Sequence, residues 1–253
     1  MLDRITVLHF SPTGGTRRAA LLLAGQIASQ VEEIDLTLPQ PPEKSFAAQD
    51  VVLVAGPVYG GRLPALMVER MRQYTGGGAR AVSAAVYGGR AYEDALVELD
   101  DLLEAQGFRV AAATAQLSEH SIAHTLAVGR PDAQDEAQLA GFGARIAEKL
   151  DKGDANTPKV PGNHPYREWA GMPVVPVASD ACVGCGECAK VCPAQAIPSE
   201  HPSQTDKTRC ITCMRCVAVC PAKARALPAQ AQDMLAQKLA PFMQKRPENE
   251  LYL

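Results

Sequence analysis

Cys182-Val-Gly-Cys185-Gly-Glu-Cys188-Ala-Lys-Val-Cys192-Pro193 and Cys210-Ile-Thr-Cys213-Met-Arg-Cys216-Val-Ala-Val-Cys220-Pro221 contain all eight cysteines of the chain. Cys210 lies 28 residues after Cys182, and the same offset carries Pro193 to Pro221, Ala194 to Ala222 and Ala196 to Ala224. The stretch is an internal duplication. A proline follows the last cysteine of each run and fixes the exit of the chain.

Three thiolates at i, i+3 and i+6 on a tight loop can hold three corners of an iron–sulfur cube, and the cysteine after the next three-residue spacer serves the other cube. This assigns Cys182, Cys185, Cys188 and Cys220 to one [4Fe–4S] cluster. Cys210, Cys213, Cys216 and Cys192 form the second set. Zinc is the competing reading, but structural zinc prefers two separated pairs to two runs of four. A disulfide framework fits still less well.

These runs resemble the bacterial two-cluster ferredoxins over roughly residues 178–228, which implies a small α+β two-[4Fe–4S] ferredoxin-like domain. One departure is charge. Lys190, Lys207, Arg209, Arg215, Lys223 and Arg225 outnumber Glu187, Glu200 and Asp206 there. Exposed, they would favour an acidic redox partner and ease cluster reduction; otherwise they are a solvated surface.

The 253 residues suffice for one substantial core plus a small module stapled by metal. No apolar run is long enough to span a bilayer, and the N-terminus lacks a signal-peptide pattern. The formal net charge of -3 gives no reason to expect nucleic acid. Cluster-forming thiols suit a reducing compartment, so a cytoplasmic protein with no membrane association is expected.

Short β-branched runs over 5–10, 31–36, 51–55, 79–87 and 109–117 alternate with helical patterns over 19–27, 65–74, 91–106 and 132–150. This alternation implies an α/β fold with a doubly wound, parallel, five-stranded sheet. The expected organisation is a first domain over 1–151, a proline-rich linker over 152–177 that lies against a domain, the cysteine module over 178–228, and a helix and tail over 229–253. The helix is expected over 229–244.

In such a sheet, ligands bind at the carboxyl ends of the strands. Ser11, Pro12, Thr13, Gly14, Gly15 and Thr16 follow the first strand and open a helix, so backbone N–H groups and three hydroxyls face any anion placed there. The loop is neither a P-loop nor Gly-x-Gly-x-x-Gly, which leaves a phosphate monoester held by neutral donors. A capped helix start without ligand is the competing reading. The loop resembles the phosphate loop of the flavodoxins, which implies FMN. That resemblance places the flavin ring between Pro57, Val58, Tyr59, Gly60 and Gly61 on one side and Tyr87, Gly88, Gly89, Arg90 and Tyr92 on the other. Tyr59 and Tyr87 or Tyr92 are the stacking candidates.

The whole chain resembles the flavodoxin–ferredoxin fusion family of anaerobic bacteria, to which Glu119-His-Ser-Ile-Ala-His124 and Gly129-Arg-Pro-Asp132 also look similar. His120 and His124, four apart, would share a helical face. They are the candidate catalytic residues, as a gate over the flavin edge or a proton source to reduced flavin. The resemblance implies electron transport in which two [4Fe–4S] clusters exchange single electrons with FMN and with a ferredoxin-like redox protein. The alternative is an oxidoreductase acting on a small-molecule substrate held over the ring. An open flavin edge would suit the carrier; a pocket closed by the 120–124 segment would suit the reductase.

Overall fold

The computed structural model describes residues 1–154 and 156–253. β1 (Leu2–His9) leads into α1 (Gly15–Ile27), which runs directly into β2 (Ala28–Asp35). β3 (Val51–Pro57), α2 (Ala65–Met71), β4 (Arg80–Tyr87), α3 (Ala95–Ala105), β5 (Arg109–Leu117) and α4 (Ala133–Asp151) continue the alternation. These strands lie in the order β2-β1-β3-β4-β5 with every neighbouring pair parallel. That is the flavodoxin-like doubly wound order, with its switch point between β1 and β3.

Strand side chains alternate between faces, and each face buries its own layer. Leu8, Val52, Val54 and Ala81 meet Met67 of α2 and Leu96 and Leu99 of α3. On the other face Ile5, Val7, Leu53 and Val82 meet Leu23 and Ile27 of α1 and Ile146 and Leu150 of α4. β2 takes the edge because residues 29–33 are exposed and largely polar.

Helix limits follow local chemistry. Asp132 caps α4 through a capping box with Asp135, whose carboxylate also pairs with the buried Arg130. α3 begins at Ala95 rather than 91 because Glu93 is left-handed, with φ 48°. α2 closes at Met71, short of the expected 74. The Asp94 side chain makes no cap; it accepts from Asn163 N (2.9 Å), Asn163 Nδ2 (3.0 Å) and Arg167 N (2.7 Å). Asp101 engages His164 at 2.6 Å and also the Tyr166 hydroxyl. The proline-rich stretch is therefore strapped along α3.

The cysteine stretch contains β6 (Val177–Ala178), α5 (Glu187–Lys190), α6 (Arg215–Ala218) and β7 (Arg225–Ala226), with β6 and β7 antiparallel. The duplication extends to the backbone. Gly184 and Thr212 (φ 69° and 51°), Gly186 and Met214 (76° and 65°), and Gln195 and Lys223 (49° and 48°) are left-handed pairs at the repeat offset.

α7 (Ala229–Leu239) stops before the expected 244. Pro241 lacks the N–H that an α-helix would use next, and residues Ala240–Phe242 tighten into a 3₁₀ turn. The tail then returns as β8 (Glu250–Tyr252), antiparallel on β5. The sheet thus has six strands, correcting the expected five. Three residues are too few to show an alternation, and only docking on the open edge of β5 makes them a strand. Asn249 locks the return: its Oδ1 accepts from Leu117 N (2.8 Å), and its amide donates to Asp135 (2.9 Å) and Gln138 (2.7 Å). Among the described residues no helix is long and apolar enough to cross a membrane.

Candidate functional site

The eight thiols are free, and each four-cysteine set lines one small hollow. Cys182, Cys185, Cys188 and Cys220 line the first, with Pro202 and Arg225. Cys192, Cys210, Cys213 and Cys216 line the second, with Ile197, Ile211 and Arg215. Cys220 thus lines the hollow of the first run and Cys192 that of the second. Among the described residues no three His, Cys, Asp or Glu side chains converge tightly enough for a single metal ion. A mononuclear zinc site needs donors about 2.0–2.3 Å from one centre; a cube spreads its four thiolates around a larger group.

Backbone donors already face the sulfurs. Ala196 N reaches Cys192 Sγ and Ala224 N reaches Cys220 Sγ, both at 3.3 Å and related by the repeat, while Thr212 N reaches Cys210 Sγ at 3.4 Å. As free thiols, Cys213 and Cys216 are pushed up to about 12 and about 11 by burial, so bound metal is needed to hold them as thiolates. Among the described residues the buried Arg215 Nε has no partner, which suits a group of net negative charge in that hollow. The donor set therefore fits two iron–sulfur cubes.

The two hollows differ in surroundings. Around the first, Val183 is 75% exposed and Cys185 is exposed. The second faces the N-terminal sheet domain. Ile211 packs on its core, Arg215 Nη1 donates to Thr37 Oγ1 (2.8 Å), and Arg70 of α2 donates to Pro193 O (2.7 Å). Tyr59 is half-buried here too; burial, then the Cys213 and Cys210 thiols, push its hydroxyl well above the usual range. The six basic residues do not form one patch, because Arg225 is buried, Arg215 turns inward and Lys190 pairs with Glu187.

At the switch point, Gly14 has φ 90°, Arg17 N donates to Ser11 Oγ (2.9 Å), and Gly14 N donates to Ser11 O (3.3 Å). The amides of Thr13, Gly15 and Thr16 have no acceptor among the described residues. Thr13 and Gly14 are exposed, whereas Ser11, Pro12 and Thr16 are buried. Arg17 pairs with Glu33 and Arg18 with Glu136, so neither is free to carry an anion. Ser118 packs so closely on Gly15 that a Cβ there would meet its hydroxyl.

A cavity of about 260 Å³ opens where several segments meet. Val58, Tyr59 and Gly60 form one wall, His120, Ser121 and Ile122 a second, Ile211 and Thr212 of the second cysteine run a third, and Trp169, Leu235 and Leu239 the cover. Ser118, at the phosphate-type loop, and His120, at the cavity, are two residues apart, at most about 7 Å of chain. Loop and cavity are thus within the span of one nucleotide-sized ligand.

Several expectations change here. Tyr87 and Tyr92 do not line the cavity. They pack edge to face at 5.4 Å, and the Tyr92 hydroxyl is taken by Glu250 and Tyr252, both at 2.8 Å, because the returning tail covers that loop. Gly88 lies directly under His120, and Gly89 under Leu126 and Ala127. Of that loop only Arg90 reaches the cavity, and it pairs with Glu93. His120 and His124 share no helical face, since residues 118–132 form no helix. His124 lies on exposed Glu119 at 2.8 Å. His120 Nδ1 accepts from Ile122 N (3.2 Å) and Ala123 N (3.0 Å), and burial holds its pKa down at about 4. It is neutral near pH 7, which removes it as an imidazolium proton source. Trp169, Ile211, Thr212 and Arg70 were not anticipated. Trp169 was visible as the lone tryptophan among prolines, and Thr212 as the partner of a glycine at the repeat offset.

Residues 175–225 match the 4Fe-4S dicluster domain family. No curated protein matches the chain significantly. Similar solved structures include a flavodoxin from the domain Archaea, 16% identical over 58% of this chain and 99% of that one (TM-score 0.40). Others are a Streptococcus pneumonia TIGR4 flavodoxin, 18% identical over 60% and 99% (0.40), and a WrbA-like flavodoxin from Agrobacterium tumefaciens, 13% identical over 59% and 98% (0.44). The fold assignment rests on strand order and register, independently of these likenesses.

Proposed function

We infer that this chain, which joins a flavodoxin-like α/β domain to a 4Fe-4S dicluster domain, is an electron-transfer iron–sulfur flavoprotein whose second cofactor is FMN. FMN would supply exchange between two-electron and one-electron chemistry, and the clusters one-electron storage. In this reading Ser11, Thr13 and Thr16 with the free amides of their loop hold the phosphate. Val58–Gly60, His120–Ile122 and Trp169 enclose the ring and exclude water. The cysteine sets ligate the clusters as paired above. The observation that carries the reading is the cavity itself, because Tyr59 from the sheet domain and Ile211 and Thr212 from a cysteine run share its wall. The external partner is a one-electron redox protein of ferredoxin type, meeting the chain at the open hollow around Val183.

Anaerobically prepared protein is expected to hold about eight iron atoms and one FMN. Stoichiometric zinc without sulfide-dependent visible absorption rejects the clusters, and failure to bind added FMN rejects the flavin. Cys185→Ala and Cys213→Ala should each slow ferredoxin-driven flavin reduction while dithionite still reduces the flavin. Unchanged ferredoxin-driven rates in both rule out the route.

A reductase of a small organic substrate is the second reading, favoured by the closure of the cavity by His120–Ile122 and α7. Faster oxidation of the reduced flavin by small organic acceptors than by a one-electron protein acceptor would select it.

A further inference from the structure

Among the described residues, Arg70 is a buried cation without an ion pair. It is 5% exposed, and its guanidinium is spent on two carbonyls, Leu36 O (2.6 Å) and Pro193 O (2.7 Å). Glu69 and Asp35 act on it only at a distance, with no ion pair to either. A guanidinium stays charged in any protein, and burying it unpaired is costly unless an opposite charge lies near. Pro193 is bonded to Cys192 and lines the second hollow, so the missing negative charge belongs there. Arg215 repeats the theme, lining the same hollow with its orphaned Nε. Arg225, 3% exposed and lining the first hollow, likewise bonds only neutral groups, Thr205 Oγ1 and the carbonyls of Pro202 and Gln204.

We propose that Arg70 is a positioning residue of the sheet domain that raises the reduction potential of the inner cluster, the one held by Cys192, Cys210, Cys213 and Cys216. The proposal rests on the cluster assignment and is independent of FMN. A cluster gains a negative charge on reduction, and its potential follows net charge, hydrogen bonding and exposure. Burial of the inner set against the sheet domain disfavours that added charge. A fixed cation on the carbonyl of Pro193, next in the chain to Cys192, offsets the penalty, so docking the two domains supplies what enclosure removes.

The test is an anaerobic potentiometric titration followed by cluster EPR, on full-length protein carrying Arg70→Gln or Arg70→Lys. Cys185→Ser, which touches only the outer set, identifies the signals. Arg70→Gln is expected to lower the inner midpoint so that an electron shared between the clusters shifts about tenfold toward the outer one, 59 mV for a one-electron couple. The outer midpoint should hold, and Arg70→Lys should recover most of the loss. An unchanged inner midpoint in Arg70→Gln, an equal fall of both clusters, or an equal fall in Arg70→Lys overturns the proposal. A protein without iron overturns it together with the cluster assignment, whereas in a protein without FMN both midpoints are still measured and decide the proposal in the same way.

Discussion

Gly184 and Thr212 occupy the same position in the two cysteine loops and share a left-handed backbone, φ 69° and 51°. Glycine adopts this conformation freely, but a β-branched residue does so only under strain. Nothing lies within 4 Å of a Cβ built on Gly184. Thr212 is held by Oγ1 donating to Val174 O at 2.9 Å and by its place in the cavity wall.

The strain should therefore be compensated at one site and uncompensated at the other. Thr212→Gly relieves roughly 1–3 kcal/mol of strain but loses a bond worth about 0.5–1.5 kcal/mol and part of the cavity wall, so its net effect should stay within about 1 kcal/mol. Gly184→Thr takes on the strain with no partner and should cost about 1–2 kcal/mol. Anaerobic rates of cluster loss in guanidinium measure both. A Gly184→Thr variant as durable as the parent would show that the two loops do not differ in support.

The switch-point loop should hold its anion through neutral donors, because Arg17 and Arg18 are already paired. Thr13→Val with Thr16→Val removes two hydroxyls, each worth roughly 1.5–3 kcal/mol to a charged group. FMN affinity should fall about a hundredfold or more, read by flavin fluorescence titration. Unaltered affinity would place the phosphate elsewhere.

Asp100 gives a pH dependence with a definite sign. Neither carboxylate oxygen has a hydrogen-bond partner among the described residues, and burial pushes the group from 3.8 up to about 7. The folded state then binds more protons than the unfolded one between those values, so stability falls as pH rises through that window. Asp100→Asn removes the penalty. It should stabilise by roughly 4 kcal/mol at pH 8, with the gain shrinking toward pH 4, measured by thermal unfolding across pH. A constant difference at all pH values would mean that the carboxyl is not held neutral.

The sequence alone divided the eight thiols into two sets of four, because i, i+3, i+6 spacing leaves the fourth cysteine of each run pointing away from the other three. It also determined the alternating α/β domain and the anion loop, since β-branched runs and Gly-rich strand ends are local signals. Tertiary structure decided the rest. The sixth strand is three residues whose identity as a strand comes only from the edge of β5. Tyr87 and Tyr92 looked equivalent to Tyr59 until the returning tail covered them, and His120 became a neutral acceptor only once buried. The inner and outer clusters have the same motif. They differ because Arg70, Thr37 and Tyr59, remote in sequence, meet the second loop and leave the first to solvent. Spacing fixes what a loop can bind; what surrounds the bound group is set by contacts between distant segments, and no local pattern records them.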